Sequence, residues 1–471
     1  MITLNALLTA LADQEITALD IPISNVVIDS RQASENSLFI ALSGEKADGH
    51  DYIGAAFQNG ATLALIDQPL QGEFTIADLR KGHFDPAHIN TATPLCLRVD
   101  NTLQALQSIA AQWRQQHNLR VIGITGSVGK TSTKELAAAL LSQKFNVLKN
   151  PGNRNNEIGL PLTLLELNKD HQCAVLEMGF YVPGEIKTLC NIAKPHTGLI
   201  TNIGTVHAER AGSQEAIARG KAELVESLPD DGVAILNMDD PWVRGMMQKT
   251  SANILTYGIK ESADITASDI EPHGLQGLSC RIHFQGKSRL IHSPLLGEFS
   301  VYTILAAAAV AFTENLTWDE LEHGLMNTTI DIRMRHFTLP NGVTLLDDTY
   351  NASPESTIAA LQLLGHLEGR RVAILGDMLE LGQYEEEGHQ SVGRFAAAAA
   401  DVLVLVGERS KSTASAALMN GFPEENLFWY PDSKQAAAPS SELIQKGDVV
   451  LVKGSNSMHM NIIINALEVQ R

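Results

Sequence analysis

The sequence predicts an α/β protein of three domains, and three observations carry that prediction. The first is its 471 residues, more than one hydrophobic core usually serves at ~100–200 residues per domain. The second is an alternation of short β-branched or Leu runs with helical stretches, the signature of parallel sheets covered on both faces. The third is that these runs fall into three separate series. A composition of 44% hydrophobic and 19% charged residues is that of a folded globular chain and not of a disordered one.

Residues 1–98 carry the first series, NVVIDSR, SLFIALSG, ATLALID and PLCLRVD, whose spacing suggests a small α/β or mixed-sheet domain. Residues 101–117 place apolar side chains at helical spacing behind Asn101, a residue suited to capping. That helix leads into the second series, RVIGIT, CAVLEMG, TGLITNIG and GVAILNMDD, assigned with its helices to a central domain of residues 99–332. The third series, VTLLDDTYNASP, RVAILGDM, DVLVLVGE and DVVLVKGS, is separated by amphipathic or Ala-rich segments such as HQSVGRFAAAAADVL. It reads as a second open, Rossmann-like α/β unit over residues 333–471. The acidic stretch DMLELGQYEEEGH reads as a solvated loop or a helix start. No repeat at solenoid period and no low-complexity linker interrupts these units.

Composition excludes several functions. With 35 Lys and Arg against 54 Asp and Glu, a formal charge of −19 argues against a nucleic-acid polymer as partner, because gripping a phosphate backbone takes clustered cations. Small anionic ligands remain allowed, since they need only a local positive site. Cys96, Cys173, Cys190 and Cys280 lie far apart without a CxxC pair, which argues against a disulfide framework or a structural zinc site. The first twenty residues lack the basic stretch and cleavage site of a signal peptide. The longest apolar run, Ile304 to Phe312, is too short to span a bilayer and predicts a buried helix. A cytoplasmic, reducing setting without membrane insertion follows as the expectation.

The most informative segment is RVIGITGSVGKTSTKELAAALLSQ, residues 120–143. A strand ends at Thr125, a Gly-rich turn follows, and GKTS opens an Ala/Leu-rich helix. Gly126 and Gly129, with Ser127 between them, let the backbone wrap phosphate oxygens, and N–H groups at a helix start carry about half a positive charge. Lys130 can bridge terminal phosphates, Thr131 can place its hydroxyl on magnesium, and Ser132 continues the first turn. In the common GxxxxGK[ST] spacing the first Gly would fall at Ile124, so this is a variant form. ATP is the expected ligand, and the central domain is expected to be a phosphate-loop, doubly wound ATPase.

Three further positions lie at strand ends or just beyond. Glu177 closes the apolar run AVL, His207 sits in the loop after LITN, and Lys221 lies on a helix starting near Gln214. Ligands of open α/β sheets bind at such carboxyl ends. Taken singly each also has a plain reading: a strand-end carboxylate is usually solvated or N-capping, and a lone histidine is more often structural than a ligand. The GNRNNEIGLPLT segment places Asn153, Asn155 and Asn156 in a polar loop that then turns helical. Their uncharged amides suit phosphates, sugars or peptide groups, and equally suit an ordinary turn.

Together and in this order these residues resemble the ATP-dependent Mur ligases of peptidoglycan synthesis, through nearly the whole chain. TGSVGKTS is similar to that family's TGxxGKTS loop, which accounts for the spacing. DSR with DGHDYI, GNRNNEIGLP, LEMGFYVPGEI, DDTYNASPES, LGDMLELG and VLVKGS resemble the members that add D-alanyl-D-alanine. The resemblance implies an amide-bond ligase working through an acyl phosphate, with UDP-N-acetylmuramoyl-tripeptide, D-alanyl-D-alanine and ATP as substrates. It also implies a single chain acting as a monomer.

Residue by residue, the resemblance implies that Ser30, Arg31, Asp48, Gly49 and His50 hold the UDP-sugar. Lys130 binds the ATP phosphates. Thr131 and Glu177 hold one Mg2+, and His207 with Glu177 and a carbamylated Lys221 holds or orients a second. Tyr350 and Asn351, alongside Arg333, approach the nucleotide, and Lys453 and Ser455 stand near the incoming dipeptide. The carbamate is physically reasonable. A bare ammonium ~4 Å from a charge of the same sign is repelled by about 4 kcal/mol at an effective dielectric near 20. Addition of carbon dioxide makes it an anion.

The pattern departs from the family at three places. GEFSVYT stands for GxHNxxN, so that Phe299, Ser300 and Thr303 replace polar residues; Ile332-Arg333 stands for Gly-Arg; and KGSNSMHM has Asn456 and His459 where Arg is common. Two other readings of the residues stay open at this point: a related ligase joining a different amino acid or peptide to another acid, and a non-catalytic nucleotide-binding switch.

Overall fold

The computed structural model describes residues 2–12, 21–44, 46–70, 74–81, 94–327 and 334–469. Arg333 therefore lies outside the described residues. The chain divides into two compact units, one of residues 1–123, 145–179 and 185–196, the other of residues 124–144, 180–184 and 197–471.

In the first unit, β1 (Val26–Val27), β2 (Ser37–Ile40), β3 (Ala61–Ile66), β4 (Thr75–Asp78) and β5 (Leu95–Arg98) form a sheet in the order β1-β2-β3-β5-β4. Every pairing is parallel. Phe39, Ala64, Ile66 and Cys96 pack with Ile53 and Ala56 of the helix Ile53–Gln58 into one apolar cluster. The helix Thr102–Gln115 follows, capped by the Asn101 side chain, which accepts the Gln104 N–H at 2.8 Å. It buries Ala105, Leu106, Ile109, Ala110 and Trp113, the stripe its periodicity predicts. Trp113 donates its indole N–H to Leu167 O at 3.1 Å, and Arg114 Nε donates to Ala193 O at 2.7 Å, fastening this helix to the chain around it. The strand β6 (Arg120–Thr125) starts in this unit, which also holds the parallel pair β7 (Val147–Lys149) and β8 (Cys173–Glu177).

The second unit begins inside β6. It contains β9 (Thr197–Ile200), β10 (Val233–Asn237), β11 (Asn253–Gly258), β12 (Ile265–Pro272), β13 (Leu278–Phe284) and β14 (Lys287–Ser293), paired in that sequence. Pairing is parallel from β9 to β12 and antiparallel from β12 to β14. The helix Ser300–Thr313 buries every residue from Ile304 to Ala311 and packs on the helix Lys130–Leu141. Small Ala side chains on the first and Ala and Leu on the second permit that close approach.

The same unit holds a six-stranded sheet of β15 (Arg335–Thr338), β16 (Thr344–Asp348), β17 (Arg371–Gly376), β18 (Val402–Val406), β19 (Leu427–Tyr430) and β20 (Val449–Lys453). Its order is β15-β16-β20-β17-β18-β19, parallel except at the β15 edge. One face packs on helices Pro354–Gly365 and Glu385–Ala399, the other on Ser433–Leu443 and Asn461–Val469. This is the doubly wound arrangement that the third strand series predicts, and β20 sits where the winding reverses. All four cysteines are buried free thiols. Among the described residues, no helix is long and apolar enough to cross a membrane.

Candidate active site

The phosphate loop forms as its spacing predicts: β6 ends at Thr125, and the helix Lys130–Leu141 starts behind Gly129, whose φ of 86° only glycine adopts easily. Gly126 has φ 149°, and a Cβ there would run into the Thr201 hydroxyl. The amides of Lys130 to Ser132 precede the first i→i−4 bond, from Thr133 N–H to Gly129 O at 2.9 Å. Such first-turn amides are the group that a helix start offers an anion.

The end of β9 moulds the loop. Asn202 accepts the Val128 N–H on its side-chain oxygen at 2.9 Å and returns its amide to Val128 O at 3.0 Å. Its own carbonyl accepts the Ser127 N–H at 2.9 Å. Thr201 Oγ1 donates to Val128 O at 2.7 Å, and the Ser127 hydroxyl accepts Gly204 N–H at 2.8 Å. Sequence reasoning missed Asn202. Its only signal was a polar pair, Thr201-Asn202, after the buried strand TGLI.

Lys130 Nζ donates to Gly126 O at 2.8 Å and Ser127 O at 3.1 Å. Lys221, on the helix Gln214–Glu226 and only 1% exposed, donates to the same Gly126 O at 2.9 Å. Its ammonium lies 4.8 Å from the centroid of the Phe180 ring, a cation–π contact. His207 stands beside this pair. Burial and then the Lys130 charge hold its pKa down to about 4, against the pull of Glu380, so the ring is neutral near pH 7. Its Nδ1–H donates to Glu380 Oε2 at 2.5 Å, and Tyr181 meets its ring edge-on at 4.7 Å. Glu380 was also missed.

Glu177 ends β8 in the first unit and is 1% exposed. Asn155 Nδ2 donates to its Oε1 at 2.8 Å, and Asn150 binds its backbone at both N–H and C=O. The GNRNN loop thus fixes this carboxylate: Asn155 orients it, while Asn156 caps the following helix by accepting Gly159 N–H at 2.8 Å. Asn153 accepts the Asn155 N–H at 2.8 Å through its carbonyl, closing the turn.

In the first sheet, Ser30 and Arg31 form a 3-10 turn capped by Asp29. Ser30 is buried and its carbonyl accepts Asn59 Nδ2 at 2.9 Å. The Arg31 side chain is 87% exposed and forks onto Asp29, holding that carboxyl down at about 2. His50 is enclosed: its Nδ1–H donates to Asp48 Oδ1 at 2.6 Å and its Nε2 accepts Asp67 N–H at 3.2 Å. Asp67 in turn accepts Thr102 N–H, and Gly49 N–H donates to Leu42 O. The structure gives DGH an internal partner set that shapes its loop and leaves Arg31 as the group facing solvent.

At the third sheet, Lys453 is 2% exposed and donates to Asp348 Oδ2 at 2.5 Å and to Asn351 O at 2.9 Å. The Ser455 hydroxyl accepts Leu379 N–H at 2.9 Å. Tyr350 is 40% exposed, and its carbonyl accepts Asn456 Nδ2 at 3.2 Å. Lys453 and Ser455 therefore hold two loops, those after β16 and β17, in place.

Whether these residues suit magnesium is a question of donor chemistry. Among the described residues, no group of three or more His, Cys, Asp or Glu side chains is gathered for a metal ion. Magnesium is usually bound through one or two carboxylates with phosphates and water. Within the first unit the fixed Glu177 carboxylate is a hard oxygen donor of the type magnesium takes, and within the second the Thr131 hydroxyl in the first helical turn is another.

A variant phosphate loop braced by the end of β9, two lysines on one loop carbonyl, and parallel α/β sheets define a phosphate-loop nucleotide-binding class. Three family models match: "Mur ligase family, catalytic domain" over residues 22–114, "Mur ligase middle domain" over 124–311, and "Mur ligase, glutamate ligase domain" over 332–456. The chain belongs to the Mur ligase family. It is 39% identical over 453 residues, 95% of this chain and 92% of the relative, to the UDP-N-acetylmuramoyl-tripeptide–D-alanyl-D-alanine ligase of Synechocystis sp.. A crystal structure of MurF from Acinetobacter baumannii superposes with a TM-score of 0.86 at 30% identity, covering 99% of this chain and 98% of that one. The MurF ligase of Thermotoga maritima in complex with ADP gives 0.80 at 27% identity, covering 94% and 97%.

Proposed function

We propose that this chain joins D-alanyl-D-alanine to UDP-N-acetylmuramoyl-tripeptide at the expense of ATP, in cytoplasmic peptidoglycan precursor synthesis and as a monomer. The observation that carries this reading is the braced phosphate loop with Lys130 and Lys221 converging on one carbonyl, within a chain alike over nearly its full length to ligases named for that reaction. The proposed division is 1–98 for the UDP-sugar, 99–332 for ATP, and 333–471 for the dipeptide and closure over the nucleotide.

A carboxylate is a poor acyl donor. Its oxygen attacks the γ-phosphorus of ATP, the bond to the β-bridging oxygen breaks, and ADP leaves an acyl phosphate. The amine of the dipeptide, having lost its ammonium proton, attacks the acyl carbon and inorganic phosphate departs. Lys130 and the amides of Gly129 to Ser132 would receive the charge of the transferred group, and positioning with electrostatics supplies most of the rate. Thr131 and Glu177 would hold one magnesium, and His207, Glu177 and a carbamylated Lys221 a second. Bound magnesium would neutralise the phosphate charge that otherwise repels the attacking carboxylate. Asn155 keeps the Glu177 carboxylate oriented. Arg31 would meet the diphosphate of the sugar nucleotide, Ser30, Asp48, Gly49 and His50 would shape that pocket, and Tyr350, Asn351 and Arg333 would approach the nucleotide. Asn153 and Asn156 would line the path of the acyl substrate, and Lys453 and Ser455 would position the loops around the dipeptide.

The test is a ligation assay with ATP and magnesium, read by product mass and by phosphate release. The expected result is release that needs both the tripeptide and D-alanyl-D-alanine, with one amide formed per phosphate. Product with another amine but none with the dipeptide would overturn the substrate assignment. Release without either would overturn the ligase reading. For the carbamate, 13C-bicarbonate should yield a carbamate carbon resonance in the wild type that is lost in Lys221→Ala; its absence from the wild type excludes that group.

A further inference from the structure

The loop after β17 is held on one side by the segment after β20 and on the other by the helix Glu385–Ala399. Ser455 Oγ accepts Leu379 N–H, and the buried His389 accepts Met378 N–H on Nε2 at 3.1 Å while its Nδ1–H donates to Glu385 O at 2.8 Å. Met378 and Leu381 are buried. Between them Glu380 projects, at φ 64°. A left-handed backbone costs a residue with a side chain about 1–2 kcal/mol and persists only where its neighbours enforce it.

Glu380 meets a second residue in the same condition. His207 has φ 68°, and its Nδ1–H donates to the Glu380 carboxylate. The contact is reinforced at the backbone, where Glu209 N–H donates to Glu380 O at 3.2 Å. Gly382 lies so close to Glu209 that a Cβ would stand 2.9 Å from the Glu209 Cα. Two strained residues, 173 positions apart in sequence, are thus built toward each other. A carboxylate on one ring nitrogen of a histidine fixes the tautomer, leaving the other nitrogen as an unshared lone pair.

We propose that Glu380 is a positioning residue for the ligation reaction: it holds His207 as the Nδ1–H tautomer with Nε2 unprotonated, and does so only while the loop after β17 is docked on the turn after His207. The proposal rests on the reading of His207 as part of the reaction site. Occupation of that tautomer therefore reports the docked state.

The experiment compares wild type, Glu380→Gln, Glu380→Ala and His207→Ala as full-length chains, with thermal melts confirming folding. Glu380 is partly exposed on the surface, so neither replacement disturbs a core. In 15N-histidine-labelled protein without nucleotide, the His207 resonance, assigned by its loss in His207→Ala, should show the Nδ1–H tautomer in wild type and in Glu380→Gln, whose amide oxygen still accepts. In Glu380→Ala the Nε2–H form should become detectable. In turnover, Glu380→Ala should lower kcat about tenfold or more with KM for ATP little changed, and Glu380→Gln should recover most of it. An unchanged tautomer in Glu380→Ala, an unchanged kcat, or a Glu380→Gln as impaired as Glu380→Ala overturns the proposal. A fully active His207→Ala instead overturns the reading of His207 itself, so the two failures are distinguishable.

Discussion

Lys130 and Lys221 aim two ammonium groups at one oxygen, the carbonyl of Gly126. At ~5 Å and an effective dielectric near 20, two such charges repel by about 3 kcal/mol. A phosphate of ATP placed beside them, or a carbamate formed on Lys221, would offset that repulsion. Lys130→Ala should lower ATP-dependent ligation by about 10²–10³-fold, the usual cost of removing a transition-state charge partner, while leaving the melting temperature near that of wild type. Near-normal phosphate release would remove Lys130 from the site. His389 gives a residue-scale test by pH. Burial depresses its pKa below the ordinary 6.5, so the unfolded chain binds the extra proton first. Its contribution is thus fully present above pH 6.5 and lost as pH falls below it. The stability gap between wild type and His389→Gln, measured by urea denaturation, should be largest near pH 8 and narrow toward pH 5; a constant gap would contradict a buried neutral ring.

The loops that carry chemistry are held at the level of elements, chiefly by the end of β20. Lys453 reaches across to Asp348 on β16, and Ser455 reaches the loop after β17. Lys453→Ala would leave the Asp348 carboxylate, itself 8% exposed, without its cation. The expected loss is about 3–5 kcal/mol in denaturant unfolding, larger than any surface ion pair explains. An effect below ~1 kcal/mol would show the pair to be dispensable. The same element explains what could be read from sequence. VVLVK, RVAILG and VLVLV are buried on both faces, so each is a continuous apolar run and visible as such. Strands that escaped notice include edge or half-buried ones, TIAD at β4, RHFT at β15 and LFWY at β19, none with a fully buried run, and also the interior β11, whose apolar residues are mixed with Asn and Thr. The antiparallel β12 to β14 hairpins alternate buried and exposed positions and were likewise not separated from the helical stretches around them. The site divides similarly. GKT declares itself because strand, turn and helix start are contiguous. Asn202 and Glu380 act on partners 74 and 173 residues away, and no local pattern marks a residue whose meaning lies in another loop. Lys453 and Ser455 were legible as important, but their contacts to Asp348 and to the loop after β17 were not, because those partners lie 105 and 76 residues away.

At the scale of the whole molecule the formal charge of −19 meets substrates that, apart from the zwitterionic dipeptide, are anions. The global field opposes their approach, so attraction has to be local, and on the function proposed above it comes from Arg31, Lys130 and the helix start. Raising ionic strength from about 10 to about 150 mM shortens the Debye length from ~30 to ~8 Å and screens the distant repulsion more than the contacts at the site. At fixed free magnesium, kcat/KM for the UDP-linked substrate should rise over that range. A steady fall would mean that the surface around the first sheet steers the substrate inward despite the net charge.

The burial of Cys96, Cys173, Cys190 and Cys280 has a practical consequence. Burial pushes the Cys96 thiol up to about 12 and Cys280 to about 11, so almost no thiolate forms at neutral pH and both are screened from reagents. The folded chain is thus silent toward maleimides without removal of a single native cysteine. Ala55→Cys on an exposed helical face of the first sheet and Met419→Cys, at a position 86% exposed beside the third, would be its only reactive handles. A donor and acceptor dye attached there would let the three-substrate cycle be followed one molecule at a time in an otherwise unaltered sequence.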